Sequence, residues 1–574
     1  MSNYLDTTPK DFMSWSWSQI EPYFLELDKR KISAENVTDW LADWSRLTGL
    51  IYETYQRLYV AITADTTDLE AKKRYDNYLD QIFPEAEAAE QRLKQKLLAS
   101  DCEIKGFEIQ LRNMRAEAAL FKEENIPLLA EELRLKAEYD KITGAQTVDW
   151  EGQEATMYKL QAIYLELERG RRESAWRAAS KRQLGDRQAI DELWVKLMAV
   201  RGRLAKNAGM PDYRAYRWQQ LLRFDYTPEQ CSQFAQAIKE AAVPAASYLL
   251  RKRSQTLGLS SLRPWDTYVN LGGQKPLHPF KRVSELEEGV ARIFRQIDPE
   301  LANYFSIMQQ EGLLDLENRK GKAPGGYCTD YPVSGRAFIF MNAVGVHEDV
   351  LTLLHEGGHA FHFFECDSLP YLQQKRIGIE FMEVASTTME LLAAPYLPKE
   401  RGGFYTQAEA RRAQIDHLDS AIRFWPYMAV VDAFQHWVYQ NHRAASDPAN
   451  CDAKWAELWG QFMPDEDWSG LEDELVSGWQ RKLHIIQDPF YYIEYGLALL
   501  GAFQIWHNAL ADQKGALTAY RRALSMGGTV SLPELYAQAG ARLAFDAQTL
   551  QEAIDLGIKT IQALECEAAD KPGD

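Results

Sequence analysis

Residues 351–364 read LTLLHEGGHAFHFF, and no other stretch restricts the fold as tightly. At helical spacing the segment is apolar around most of its circumference, with Val350, Leu351, Leu353, Leu354, Ala360, Phe361, Phe363 and Phe364 leaving room for one polar stripe. That stripe is Thr352, His355, His359 and His362. A surface helix shows the reverse, one apolar stripe on a polar rod. The segment must therefore be enclosed on nearly all sides, and its imidazoles must meet polar partners, water or an ion inside the protein.

His355-Glu356-Gly357-Gly358-His359 is an HExxH sequence. Its spacing puts two imidazoles one turn apart on one face, as two ligands of a tetrahedral zinc require, and leaves Glu356 able to reach a metal-held water without binding the metal. Satisfied core histidines are the competing reading. Two ligands call for a third. His362 would spread three donors over two turns, and the longer pattern HExxHxxGxxH fails because its last two positions are here His362 and Glu365. The segment IGIEFMEVASTTMELLAAPYL, 377–397, is a better source: Glu380, Glu383, Thr387 and Glu390 form a polar stripe among Phe381, Met382, Val384, Ala385, Met389, Leu391 and Leu392. A solvated acidic face is the ordinary explanation for such a stripe. The density of apolar neighbours favours burial instead, and a buried carboxylate needs a cation. Glu383 is the third-ligand candidate and Glu380 the alternative, while Glu390, two turns past Glu383, is placed to accept a histidine N–H.

The rest of the chain reads as a mainly α protein. From about residue 20 to 206, charged segments carry apolar residues at three- and four-residue spacing, without sustained heptads, repeats or a low-complexity linker. Gly and Pro concentrate in 318–350, around AFIFMN (337–342), the best strand candidate, so a small β-sheet is expected beside the HExxH helix, with Asp349 as that helix's N-cap. At 574 residues, 46% apolar and 26% charged, the chain can build a large core and more than one lobe. The expected division is an N-terminal helical lobe over 1–200 and a catalytic lobe over 201–574. A net charge of −18 with no basic run argues against nucleic acid. No run approaches the ~20 apolar residues of a spanning helix. The first residues lack a basic and apolar leader, and six scattered cysteines suit reduced thiols. The expected location is cytoplasmic, away from membranes.

The motifs together resemble the oligopeptidase family M3, above all its bacterial oligoendopeptidase F branch. HEGGHAFH is followed after 23 intervening residues by Glu383 of FMEVAST; KAPGGYCT (322–329) with AFIFMN resembles the family's Gly-Gly-Tyr-Cys segment and substrate-side strand. HIIQDPFYYIEYG (484–496) resembles its tyrosine segment, although Ile493 stands where the family often has Tyr, and SMGGTVSLPELYAQAG (525–540) resembles its C-terminal pattern. The resemblance implies a two-lobed helical ellipsoid with a deep substrate channel, a Zn2+ cofactor held by His355, His359 and Glu383, and oligopeptide substrates. It implies Glu356 as general base, Tyr491 and Tyr495 as oxyanion donors with His484 assisting, Tyr492 being a further candidate. Tyr327, Phe338 and Phe340 are expected to bind substrate, the strand 337–342 pairing its free edge with the peptide backbone. Gly358 would let a neighbouring backbone approach the helix; for Gly357 only tolerance of a small residue suggests itself. His417, His436 and the other histidines lack ligand-like spacing and default to structural roles. Competing functions are a carboxypeptidase or dipeptidyl carboxypeptidase on the same architecture, and a non-catalytic helical peptide-binding protein.

Overall fold

A computed structural model describes residues 5–269, 276–319, 321–323 and 325–570. Pro324 of the KAPGGYCT segment lies outside them. The chain is mostly helical, with few strands in small sheets. Its N-terminal helices, including the long α1 (Val37–Ala64), enclose a core of their own: Phe24, Leu27, Trp40, Trp44, Leu47, Leu93 and Phe107 belong to a cluster that ends at Met114. From Leu120 onward most buried apolar side chains, Leu193, Trp194 and Leu204 among them, join one larger core running to Ile561.

The three-stranded sheet consists of β1 (Leu314–Glu317), β2 (Tyr327–Tyr331) and β3 (Arg336–Ala343) in the order β1–β3–β2. β1 runs parallel to β3 and β2 antiparallel to it, with Tyr327 opposite Phe340 and Thr329 opposite Phe338. AFIFMN is a strand as expected, and its unbroken apolar run reflects cover on both faces. Its expected free edge is corrected: β3 is the central strand, and on that side the open edge belongs to β2. Phe338 and Phe340 are likewise corrected as substrate contacts. They are 8% and 0% exposed and pack with Tyr331, Val60, Leu313 and Tyr327 behind the sheet. Tyr327 stays partly exposed, stacked on Phe340 with ring centroids 4.8 Å apart and sharing a 2.6 Å hydrogen bond with the Thr63 hydroxyl of α1.

After the sheet the chain enters α2 (His347–Glu365), one turn earlier than Asp349 as N-cap would allow. Asp349 instead sits inside the first turn, where its Oδ2 accepts the backbone N–H groups of Val344, Gly345 and Val346 at 2.8–2.9 Å and ties the incoming loop to the helix. α3 (Ile379–Ala393) crosses against α2 and packs along α5 (Tyr492–Ala511); the 34-residue α4 (Gln407–Gln440) lies between them in sequence. Gly358 sets how closely α2 and α3 meet: a Cβ there would lie 2.6 Å from the Ala385 carbonyl oxygen and from Ser386 Cα. Gly357 also has its reason, since a Cβ would fall 2.6 Å from Cζ of the buried Phe294 ring.

Candidate metal centre

The closeness of α2 and α3 brings three donor atoms together. His355 Nε2 lies 3.4 Å and His359 Nε2 3.9 Å from Glu383 Oε2, and the three atoms are all within 4.8 Å of one another. The two imidazole planes stand at 85°. Two ligands each about 2.1 Å from a tetrahedral zinc are about 3.4 Å apart, so this set fits such an ion. Ser386 Oγ donates to Glu383 Oε2 at 3.1 Å and restrains the carboxylate.

Glu390 lies against His355. Its Oε1 accepts from His355 Nδ1 at 2.7 Å, which assigns the proton to Nδ1 and leaves Nε2 free as a donor to the metal. Its Oε2 is 3.1 Å from His417 Nε2, on α4. Burial alone would raise the Glu390 carboxyl, but contact with both imidazoles holds it down at about 2. Glu383 is likewise lowered, burial being outweighed by His355, His359 and Ser386, and His355 is raised far above an ordinary histidine. Glu356 responds in the other direction. Burial, reinforced by the Glu383 and Glu390 charges and opposed by His355, pushes it up to about 7.

Glu380 faces elsewhere: its Oε1 accepts from Tyr226 Oη at 2.7 Å and lies 3.5 Å from Arg223 Nε, away from the imidazole pair. His362 is buried with Nε2 3.1 Å from Cys366 Sγ.

His484, Tyr491 and Tyr495 form one group, with ring centroids 5.5 Å (His484–Tyr491), 6.0 Å (His484–Tyr495) and 5.2 Å (Tyr491–Tyr495) apart. Both phenols are raised chiefly by burial, with the Glu383 charge contributing to each, Tyr495 to about 12. Burial lowers His484 to about 4 and keeps it neutral. Tyr492 also packs on His484, with ring centroids 5.1 Å apart, but its hydroxyl is engaged, accepting from Lys482 Nζ at 2.8 Å. Tyr491 is the residue before α5, not within its first turn, because Phe490 has φ +67°, a left-handed conformation that a bulky side chain adopts only under constraint. The constraint is visible: the Phe490 N–H donates to Gln435 Oε1 at 2.7 Å, its carbonyl accepts from Arg223 Nη2, and Arg223 is paired with Glu494 of α5.

Arg223 and His417 were missed by sequence reasoning. Neither stands at a fixed interval from a motif, and only the packing of distant elements delivers them. Beside the centre is a cavity of about 720 Å³ whose lining includes Tyr52 and Tyr59 of α1, Tyr327, Cys328 and Asp330 of β2, and His362. β2 thus lines this space through Tyr327, Cys328, Thr329 and Asp330.

Two family models match the chain: Peptidase family M3 over residues 165–555, and the Peptidase M3 N-terminal domain over 11–108. A solved PZ peptidase A, determined with an inhibitor, is 26% identical with a TM-score of 0.86, covering 96% of this chain and 99% of its own. The chromosomal oligoendopeptidase F of Lactococcus lactis subsp. cremoris is 23% identical over 341 residues, 56% of this chain. The group B oligopeptidase PepB of Streptococcus agalactiae is 26% identical over 183 residues, 32% of this chain. These two matches span 52% and 30% of the relatives' own length. Among the described residues, no helix is long and apolar enough to cross a membrane.

Proposed function

The chain belongs to peptidase family M3, and from that premise we propose that it is a zinc-dependent endopeptidase acting on short oligopeptides in the cytoplasm. The observation that carries this reading is the convergence of His355, His359 and Glu383 from two helices, with Glu390 fixing the His355 tautomer. Zinc in that set would supply a Lewis acid and bring the pKa of a water it holds toward ~7.

The protein's own groups do the remainder. Glu356 accepts the proton of the attacking water and returns it to the leaving amine. Tyr491 and Tyr495 donate to the carbonyl oxygen as it gains charge; one such donor is typically worth ~10²–10³ in rate. Neutral His484 packs against both rings and sets their orientation. The substrate backbone pairs with the open edge of β2, beside Tyr327, so affinity depends little on peptide sequence. The N-terminal helices up to Met114, with their separate core, form one wall of the peptide cavity through α1, and the larger core carries the catalytic residues.

Glu356→Gln tests the assignment. The variant should keep its metal and lose turnover by several orders of magnitude on a peptide blocked at both termini. Undiminished cleavage would overturn the role of Glu356, and failure of wild type to cut any doubly blocked peptide would overturn endopeptidase action.

A further inference from the structure

Among the described residues one further set of side chains has the chemistry and spacing of metal ligands: Cys231, on the helix Pro228–Ala237, with Asp432 and His436 on α4. One ligand atom from each lies within 4.8 Å of the other two. All three residues are buried, at 0%, 2% and 6% exposure. Three of their polar atoms are nevertheless unsatisfied. Neither ring nitrogen of His436 has a hydrogen-bond partner, and neither does Asp432 Oδ1. Orphaned polar atoms at such depth are costly unless something binds them. Asp432 Oδ2 and His436 Nε2 are 3.5 Å apart, beyond a good hydrogen bond but the separation of two donors on one ion.

We infer that Cys231, Asp432 and His436 bind a second divalent metal ion of zinc type, structural in role and separate from the His355–His359–Glu383 centre. Thiolate, carboxylate, neutral imidazole and a divalent cation sum to zero charge, which removes the electrostatic objection to burying them. Arg223, a buried cation close by, is already matched by Glu494 and Glu380. Three protein donors would leave the fourth position of a tetrahedral ion to a water. With sulfur and nitrogen donors the set suits zinc or cobalt and not calcium or magnesium. The site ties the helix Pro228–Ala237 to α4 directly under Phe490, whose ring packs on His436 at 5.1 Å. It thereby steadies the left-handed residue that sets Tyr491.

The test is cobalt substitution of the full-length protein with metal counting. The first centre contains no sulfur, so a thiolate-to-cobalt charge-transfer band in the near ultraviolet reports the second alone. Wild type should bind two equivalents and show the band. Cys231→Ser should lose the band and one equivalent, whereas His359→Ala should lose one equivalent and keep the band. If Cys231→Ser does not fold, the wild-type and His359→Ala spectra still decide. Absence of the band in wild type, or its survival in Cys231→Ser, overturns the proposal; loss of the first centre alone would not touch it.

Discussion

Gly358→Ala isolates the role of helix proximity in building the metal centre. The added methyl would sit 2.6 Å from the Ala385 carbonyl oxygen and Ser386 Cα, both backbone atoms, so no side chain can swing aside. Ordinary contact begins at 3.4 Å, and α2 and α3 must part by about 0.8 Å. Helix propensity favours alanine by about 1 kcal/mol, but overpacking at such a site costs about 1–3 kcal/mol, so the net change in stability is small. The effect on the centre is not small. Metal–ligand distances tolerate about ±0.2 Å, and Glu383 sits two residues before Ala385 on the displaced helix. Metal affinity should fall at least ~10–100-fold, and cleavage by ~10² or more even at saturating metal. Gly357→Ala is the control. It meets the Phe294 ring, on the other side of α2, and should lower the melting temperature while leaving metal affinity unchanged. Affinity is read by competition with a chromophoric chelator, activity by an internally quenched peptide, stability by thermal melts. Gly358→Ala binding metal within about two-fold of wild type, or both variants losing it equally, would refute the argument.

Glu390→Gln keeps an acceptor for one imidazole but removes the charge shared by His355 and His417, and should weaken metal binding or activity ~10–100-fold; chelator competition that finds no change would rule out the orienting role. Arg223→Met leaves the buried Glu494 without its cation and frees the Phe490 carbonyl. A loss of about 3–5 kcal/mol in denaturant melts is expected, with kcat falling more than KM, and a change below about 1 kcal/mol would contradict it. Glu90 supplies a pH test far from the metal. Burial pushes it up to about 7 despite hydrogen bonds from Thr48 and Trp44. Between about pH 4.5 and 7 the folded state therefore retains a proton that the unfolded chain has released, and Glu90 lowers stability progressively as pH rises through that window. Glu90→Gln should then stabilise by about 1–3 kcal/mol at pH 8 and by little at pH 4, and equal shifts at both pH values would exclude the mechanism.

The residues legible in the sequence are those whose geometry is local. His355 and His359 share a face because the helix repeat puts them there, and α2 could be read as buried because its apolar residues cover it almost completely. Glu383 and Glu390 were legible for a related reason: carboxylates in so apolar a segment need a cation or a donor, and a metal ion on the imidazole pair and a histidine N–H offered both. Gly358 was read through the family resemblance, whose pattern also has Gly at that position. Gly357 was not legible, because its neighbour, Phe294, comes from a segment more than sixty residues away whose packing no local pattern encodes.

The strand shows where periodicity runs out. AFIFMN reads as β because it is short, apolar and β-branched or aromatic, but a continuous apolar run describes a strand covered on both faces, and such strands are central more often than peripheral. The same feature that identified β3 therefore argued against its having a free edge. β2 carries alternating burial along YCTDY and lies where a single exposed edge can face the cavity. Arg223 and His417 mark a second limit. Each acts by closing a contact between elements far apart in sequence: Arg223 joins the Phe490 carbonyl to Glu494 across the start of α5, and His417 joins α4 to Glu390. Their side-chain types are ordinary and their intervals are set by loop lengths, which leave no periodic trace. A left-handed phenylalanine is equally silent in sequence, since its cost is met by partners elsewhere, Gln435 and Arg223, and not by a turn residue at the site. The positions around the tyrosines are thus determined by tertiary packing, whereas His355 and His359 are brought to one face by helical repeat.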